Sequence, residues 1–549
     1  MHLNDLKNVK RFKKIVTILV KYGFEEIVRR MELPGADLVR KISVPDEDVG
    51  IYERIRRSLE ELGPTFIKFG QIMSLRSDLL PKELLFEFEK LQDEVTQMPF
   101  GEVERVVHES LGKPIDDLFS IFDVSPVAAA SLSQVHKAVL KEEGHIVSVK
   151  VQRPGIKKMI GADLDILETL AGFLDQAFSE LEAYDLPELV QVVRRHLMTE
   201  IDFTAELRNM KIARSFAADT PILIPDVYEP YCTEKLLVME FVQGARYSEV
   251  TPGSAFDNER IAKQGLASAV KQILEDGFFH ADPHPGNLLV TEEMNLSIID
   301  WGMVGRLTEK DRFELTELLR SIVDRDSDAL THSLIRLCQP RENSVQPKAI
   351  ERDALTLLDT YHAVPIKEMN MGHFLMDVMA LIREHRLRLP TNYVIMIKAL
   401  VTAEGSARQA YPDLDVVAEI KAPVSRLAKA RFKPDVIWRN LRNSIANLWA
   451  YQRDVPRQIQ QIISKLDSGD LGLKLDLEKL EQLSHSMENA SNRLTMAIIT
   501  GAIIMGSSMI ITTGIGPFLF GLPALGVIGY LLSVILGLWL IVTIIRTRK

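Results

Sequence analysis

Cysteine is almost missing from this 549-residue chain; Cys232 and Cys338 are the only two. Neither sits in a Cys-x-x-Cys pair or a Cys/His cluster, which excludes a disulfide-stapled scaffold and a cysteine zinc site. An excess of positive charge is missing too. Lysine plus arginine number 66 against 76 for aspartate plus glutamate, a net charge of -10. A generally cationic nucleic-acid binder is therefore excluded, and no nucleic-acid partner is expected. A cleavable signal pattern is also absent. The early near-apolar run 15–20 contains Thr17 and lies between Lys13-Lys14 and Lys21, too short and too interrupted for a secretory core.

The last absence is the most informative, because no residue from 494 to 545 is charged. A bilayer-crossing helix needs about 20 apolar residues. This stretch has room for two, separated by Gly514-Ile515-Gly516-Pro517 and Gly521-Leu522-Pro523. Buried helices of soluble proteins rarely run so far without a polar anchor, so a transmembrane helical hairpin is expected over 494–545. Arg493 precedes it, and Arg546, Arg548 and Lys549 follow. The positive-inside bias then puts both ends, and residues 1–493, in the cytoplasm.

What is present fits a large buried core, with 46% hydrophobic and 26% charged residues. At roughly 150 residues per domain there is room for about three domain-sized units. Near the start, Phe12, Ile15, Val16 and Leu19, then Phe24, Ile27 and Val28, recur at helical spacing. They predict an amphipathic helix, either docked on the body or laid on a membrane surface. Helical patterns continue over 51–110, punctuated by Gly63-Pro64 and Met98-Pro99. Strand patterns follow at 146–151 and 235–241. Helices dominate again to about 440, broken by the polar stretch 280–308, and 441–493 reads as a helical connector rich in Gln, Glu and Asn.

The chemistry concentrates in that polar stretch. His280-Ala281-Asp282-Pro283-His284-Pro285-Gly286-Asn287 is followed by strand 288–290, a turn at 292–295 and strand 296–299, which delivers Asp300-Trp301-Gly302. A plain polar turn explains the Pro and Gly but not the hairpin behind them. A chain that doubles back there brings Asn287 and Asp300 together. Mg²⁺ takes oxygen ligands and binds through one or two protein groups plus substrate phosphates. Asp282 and Asn287 have the spacing of the protein-kinase catalytic loop, and Asp300 with Gly302 matches its metal-binding motif. Asp282 is thus the candidate catalytic residue, Asn287 and Asp300 the candidate metal ligands, and ATP with Mg²⁺ the expected cofactors.

Such a site needs a lysine on a strand for the α- and β-phosphates, and Lys150 in Val149-Lys150-Val151 supplies it. Its acidic partner is sought among Glu200, Asp202 and Glu206; Glu206, at i+4 from Asp202 on a helix, is the choice. No Gly-x-Gly-x-x-Gly precedes Lys150. Ala128-Ala129-Ala130-Ser131 stands in its place, a phosphate-covering loop that is stiffer because alanine resists φ > 0, or the start of a helix. Met239-Glu240-Phe241 ends a strand where an adenine-binding hinge belongs, with Glu240 as the backbone contact.

Taken together, these motifs resemble the UbiB family of atypical kinase-like proteins, whose members serve ubiquinone synthesis in bacteria and mitochondria. Lys68-Phe69-Gly70-Gln71 is similar to its Lys-x-Gly-Gln signature, Ala128 through Gln134-Val135-His136 to its alanine-rich loop, and Glu200-Ile201-Asp202 with Glu206 to its Glu-x-Asp motif. The resemblance runs from about 10 to 440, and the C-terminal hairpin is similar to that of bacterial members. It implies an α+β, atypical two-lobed protein-kinase-like fold: an N-terminal helical extension over 1–110, an N-lobe with inserted helices over 111–243, and a mostly helical C-lobe over 244–440. It also implies that Lys68 and Gln71 lie across the active site, reach the nucleotide pocket and the Glu-x-Asp region, and block the shelf for a peptide substrate. The implied activity is an ATPase or a small-molecule or lipid phosphotransferase on the cytoplasmic side of a bacterial inner membrane. Membrane lipids and quinone precursors or quinone-biosynthesis enzymes would be its partners, and a homodimer is left open. Two alternatives stand beside it. A protein serine/threonine kinase lacks support from any Ala-Pro-Glu after Asp300, and a non-catalytic scaffold sits poorly with the retained Lys150, Asp282, Asn287 and Asp300.

Overall fold

Alternation of side chains along one strand sets the position of the site. In Ile146–Gln152, Val147, Val149 and Val151 are fully buried on one face, so Lys150 must emerge on the other. The computed structural model describes residues 9–31, 49–74, 76, 80–91, 96–178, 185–218, 220–324, 326–340, 346–362, 371–385, 387–420, 423, 495–512, 517–519 and 522–546. They divide into two compact units, Met1–Ile437 and Trp438–Lys549.

Among its described residues the first unit opens with five helices, α1 (Val9–Lys21), α2 (Glu25–Arg30), α3 (Ile51–Leu62), α4 (Pro64–Ser74) and α5 (Lys82–Glu89). The apolar face of α1 is docked rather than free. Phe12, Ile15 and Val16 are buried in a core with Leu62, Phe66, Ile160 and Leu197. Arg11 fixes the register through two bonds to Asp163, at 2.7 and 2.9 Å, and one to the Leu62 carbonyl at 2.7 Å. The membrane-surface option for this helix is thereby set aside, since its apolar side faces the protein. Gly63, at φ 99°, turns α3 into α4, and Pro64 opens α4 where its missing N–H costs nothing.

After α6 (Phe100–Leu111) and the short α7 (Ile115–Leu118) comes an antiparallel sheet of β1 (Phe119–Phe122), β2 (Ala128–Ala129), β3 (Ser133–Leu140), β4 (Ile146–Gln152) and β5 (Leu236–Glu240). The order is β1-β3-β4-β5, with β2 also paired to β3. Val103 and Val107 of α6 cover the apolar face. Between β4 and β5 the chain inserts α8 (Ile156–Ala177), α9 (Leu186–Glu200) and α10 (Phe203–Ala217). Asp202 starts α10 by accepting from the Thr204 N–H at 3.0 Å, an N-cap. One turn later, Glu206 falls on the buried face with Phe203 and Met210.

The helical half contains β6 (Ala245–Arg246), α11 (Asn258–Lys271), β7 (Phe278–His280), β8 (Leu288–Val290), β9 (Leu296–Ile298), β10 (Val304–Arg306), α12 (Glu309–Asp324), α13 (Ser327–Leu337), α14 (Pro347–His362), α15 (Met371–Glu384) and α16 (Thr391–Ala410). Two small sheets organise the polar stretch: β6-β8-β9, and β7 paired with β10. The second pairing sets His280 opposite Val304, which joins the segment before Asp282 to the segment after Asp300.

The second unit is described only at its C-terminal end; the expected connector 441–493 lies outside the described residues. Thr495–Thr512 is 18 residues with a mean hydropathy of 1.8, long and apolar enough to cross a membrane. A two-strand turn, Phe518–Leu519 against Leu522–Pro523, leads into the helix Ala524–Arg546. Among the described residues one helix, rather than the expected two, meets the length and composition of a span. The two helices touch through small residues: a Cβ at Gly526 would lie 3.1 Å from the Ser507 carbonyl, and one at Gly529 would collide with the Ser507 hydroxyl.

Candidate active site

Three charged side chains from three distant segments meet at one point. The Lys150 ammonium donates to both Glu206 oxygens at 2.8 Å and to Asp300 Oδ2 at 3.0 Å. Register delivers the lysine, the α10 cap delivers the glutamate, and the β8–β9 hairpin delivers the aspartate. Asp300 is held in turn by the Gly302 N–H, which donates to its Oδ1 at 2.9 Å. The Trp301 backbone N–H leans toward Glu206 at 3.4 Å, and Asn209 donates to the Trp301 carbonyl at 2.9 Å. The indole itself is buried and stacks on Phe278.

The electrostatics follow from burial and proximity. Burial alone would lower the Lys150 pKa, but Asp300 and Glu206 outweigh it and keep the ammonium charged far above neutrality. Glu206 is pushed up to about 7, chiefly by burial; Lys150 opposes the shift and the nearby Asp300 adds to it. Burial also works against ionisation of Asp300, yet Lys150 and the Gly302 N–H hold its carboxyl well below the usual range. One cation is thus shared by two acids of very different proton affinity.

Asp282 lies beside this cluster on the other arm of the β7–β10 pair. Its backbone N–H donates to His280 Nδ1 at 3.0 Å, so the neutral imidazole carries its proton on Nε2. His280 is buried against Trp301, and burial keeps it neutral against the pull of Asp300 and Asp282. Asn287 closes the loop by donating from Nδ2 to the Asp282 carbonyl at 3.5 Å, while Ile299 donates to the Asn287 carbonyl at 3.1 Å. Asn287 thereby turns its amide oxygen away from that bond. Asn287 and Asp300 each offer oxygen to a cation, and no group of three or more His, Cys, Asp or Glu capable of holding a metal exists among the described residues. A set this small fits Mg²⁺, which draws its remaining ligands from phosphate and water; bound there, the ion would neutralise phosphate charge.

The other expected residues have separate positions. Lys68 of α4 pairs with Glu200 at 2.6 Å. Gln71 turns to the Leu91 carbonyl at 3.2 Å, and the carboxylate of Asp202 is used as the α10 cap. Ala128 and Ala129 form β2 against Val135 and Gln134, and the Ala130 N–H donates to the Ser133 carbonyl at 2.8 Å, closing a turn around buried Ser131. The segment is a strand and turn, not a helix start. Among the described residues only Asp185 and Met294 have positive φ without being glycine, so these alanines carry no left-handed strain. Glu240 ends β5, and its side chain accepts from the Asp226 N–H at 3.2 Å.

Residues 90–334 match the ABC1 atypical kinase-like domain, 355–415 the UbiB helical domain, and 478–546 the ABC1/UbiB kinase-like C-terminal domain. A protein from Aeromonas salmonicida named Probable protein kinase UbiB is 33% identical over 460 residues, covering 81% of this chain and 83% of its own. The chain belongs to the UbiB family of atypical kinase-like proteins. A second relative of that name, from Cellvibrio japonicus, is 30% identical over 90% of this chain and 92% of its own. A Clostridium pasteurianum protein named for its place in the hydrogenase 1 5' region is 30% identical over 98% and 99%.

Some side chains that brace the cluster of this UbiB-family chain escaped sequence reasoning. Asn209 sits three positions after Glu206, on the same helical face, and that spacing was the available signal. His280 lies inside the quoted motif, but nothing in the sequence assigned it the Asp282 N–H. A bridge between the N-terminal extension and the C-lobe was not legible at all. Arg383 of α15 donates to the Leu80 carbonyl at 3.0 Å, and Lys82 pairs with Asp377 at 3.5 Å.

Proposed function

We propose that the chain binds MgATP between β4 and the 280–302 segment and either hydrolyses it or passes its γ-phosphoryl group to a small or lipid acceptor. The observation that carries this reading is the single cluster of Lys150, Glu206 and Asp300 next to Asp282 and Asn287. It supplies a cation for phosphate, a buried acid that holds the cation, oxygen donors for Mg²⁺ and a candidate base. The N-terminal extension supports a cleft closed to peptides. It is tied to α9 through Lys68–Glu200 and to α15 through Leu80–Arg383 and Lys82–Asp377, contacts that support an extension laid over the cleft.

Family membership and the apolar helix Thr495–Thr512 support membrane association. We extend this to a two-span C-terminal anchor in a bacterial inner membrane, with the kinase-like body in the cytoplasm and membrane-held isoprenoid quinone precursors, or the enzymes that make ubiquinone, as partners. A tethered site searches a two-dimensional pool of hydrophobic substrates. The test is ATP hydrolysis by the purified full chain in lipid, with and without phenols that mimic quinone precursors. Slow hydrolysis that rises with the phenols and disappears in Asp300→Asn is expected. Hydrolysis indifferent to both would overturn the reading.

A further inference from the structure

Over 393–403, on α16, Lys398 is the only charged residue. Its neighbours Ile395, Met396, Ile397, Ala399 and Leu400 are all buried, and no carboxylate stands three or four positions away on its own helix. An ammonium in such a run is costly unless something nearby uses it. What it faces is Asp282, across 4.0 Å from Nζ to Oδ1, with both side chains about one-third exposed (28% and 32%). That separation exceeds a hydrogen bond, and among the described residues the Lys398 ammonium makes none.

Among the described residues no other cation pairs with Asp282. Lys150 is held by Glu206 and Asp300, and Lys68 by Glu200. Two positions after Asp282, His284 has its Nδ1 taken by the Gly286 N–H at 3.0 Å. The placement of Lys398 is firm, because α16 is fixed against the loop. Ser406 donates to the Pro283 carbonyl at 3.5 Å, and Tyr247 donates to the Ser406 carbonyl at 3.1 Å.

We propose that Lys398 is a catalytic residue that meets the γ-phosphoryl group of ATP at Asp282, supplied by the helical C-lobe in place of a catalytic-loop cation. This rests on the nucleotide reading above. In the transfer, the bond from the γ-phosphorus to the bridging oxygen breaks and its electron pair stays on ADP. A bond forms to the oxygen of a water or alcohol acceptor, whose proton passes to Asp282. Negative charge on the phosphoryl oxygens in transit needs a fixed cation, and one already in place stabilises it without reorganisation. At 4.0 Å the pair is too long for a hydrogen bond and both side chains are open to solvent, so the ammonium keeps its donors for a phosphoryl oxygen set beside the pair.

Because ADP lacks the γ-group, the contact is specific to the triphosphate. The experiment compares a non-hydrolysable MgATP analogue with MgADP by calorimetry, on the full chain in detergent, for wild type, Lys398→Met and Lys398→Arg. Lys398→Met should weaken the triphosphate about ten-fold, the size of one charge-assisted contact, while leaving ADP unchanged. Lys398→Arg should recover part of the loss. Equal loss of both nucleotides, or no loss, would overturn the assignment. Should Lys398→Met fail to fold, Lys398→Gln carries the same comparison. A wild type that binds neither nucleotide sinks the nucleotide reading itself, whereas normal binding of both with no effect of Lys398→Met sinks only this role.

Discussion

At the scale of single residues, the cluster around Lys150 makes two predictions. Lys150→Met removes a phosphate cation and leaves Glu206 and Asp300 facing each other, so MgATP affinity should fall by ten-fold or more and stability by about 3 kcal/mol. Calorimetry and chemical denaturation measure the two losses separately. The second prediction is a pH slope. The folded pKa of Glu206, about 7, lies above its ordinary 4.5. Its contribution to stability is therefore complete below 4.5 and is lost as pH rises through 7, by on the order of 1–3 kcal/mol. Glu206→Gln cannot titrate, so the wild-type advantage over it should shrink between pH 5 and 8; parallel melting curves across that range would contradict the assignment. Asp282 and Asn287 were legible from their spacing, Asp300 from its motif with Gly302, and Lys150 from its place on a strand. Lys398 was not, since it meets Asp282 across a gap that only the folded chain closes.

Among the elements, the β7–β10 pair matters most, because it ties the Asp282 loop to Asp300. Gly305 of β10 lies opposite Phe279, and a Cβ there would collide with the Phe279 ring. Gly305→Ala should cost about 1–3 kcal/mol through overpacking and lower MgATP affinity by displacing Asp300; unchanged melting and binding would show that the strands tolerate the methyl group. β2 makes the opposite case. Ala128 and Ala129 already fit a paired strand without positive φ, so Ala129→Gly should lose about 0.5–1 kcal/mol to chain entropy and loosen the turn, altering the preference between ATP and ADP. Strand alternation around Lys150 could be read directly, as valines on one face demand it. The docking of α1 could not, since an amphipathic face looks the same whether it meets a core or a lipid surface.

For the whole molecule, the proposed function leans on two features: the apolar C-terminal helices, and the N-terminal extension that meets α9 through Lys68–Glu200 and α15 through Leu80–Arg383. The first predicts that the full chain resists carbonate extraction from membranes, while a chain ending at Ser491 is released. Gly529→Leu should push the two apolar helices apart at Ser507 and weaken retention. The second feature is the central claim, and radiolabelled ATP tests it most directly. Wild type and Lys68→Ala, each in lipid and each checked for folding by circular dichroism, are followed for free phosphate and for label on generic protein substrates and on the chain itself. With the cleft closed by the Lys68 segment, wild type should release free phosphate slowly and label protein poorly, and Lys68→Ala should shift that balance without unfolding. Robust labelling of peptides by wild type, unchanged in Lys68→Ala, would contradict the closed cleft.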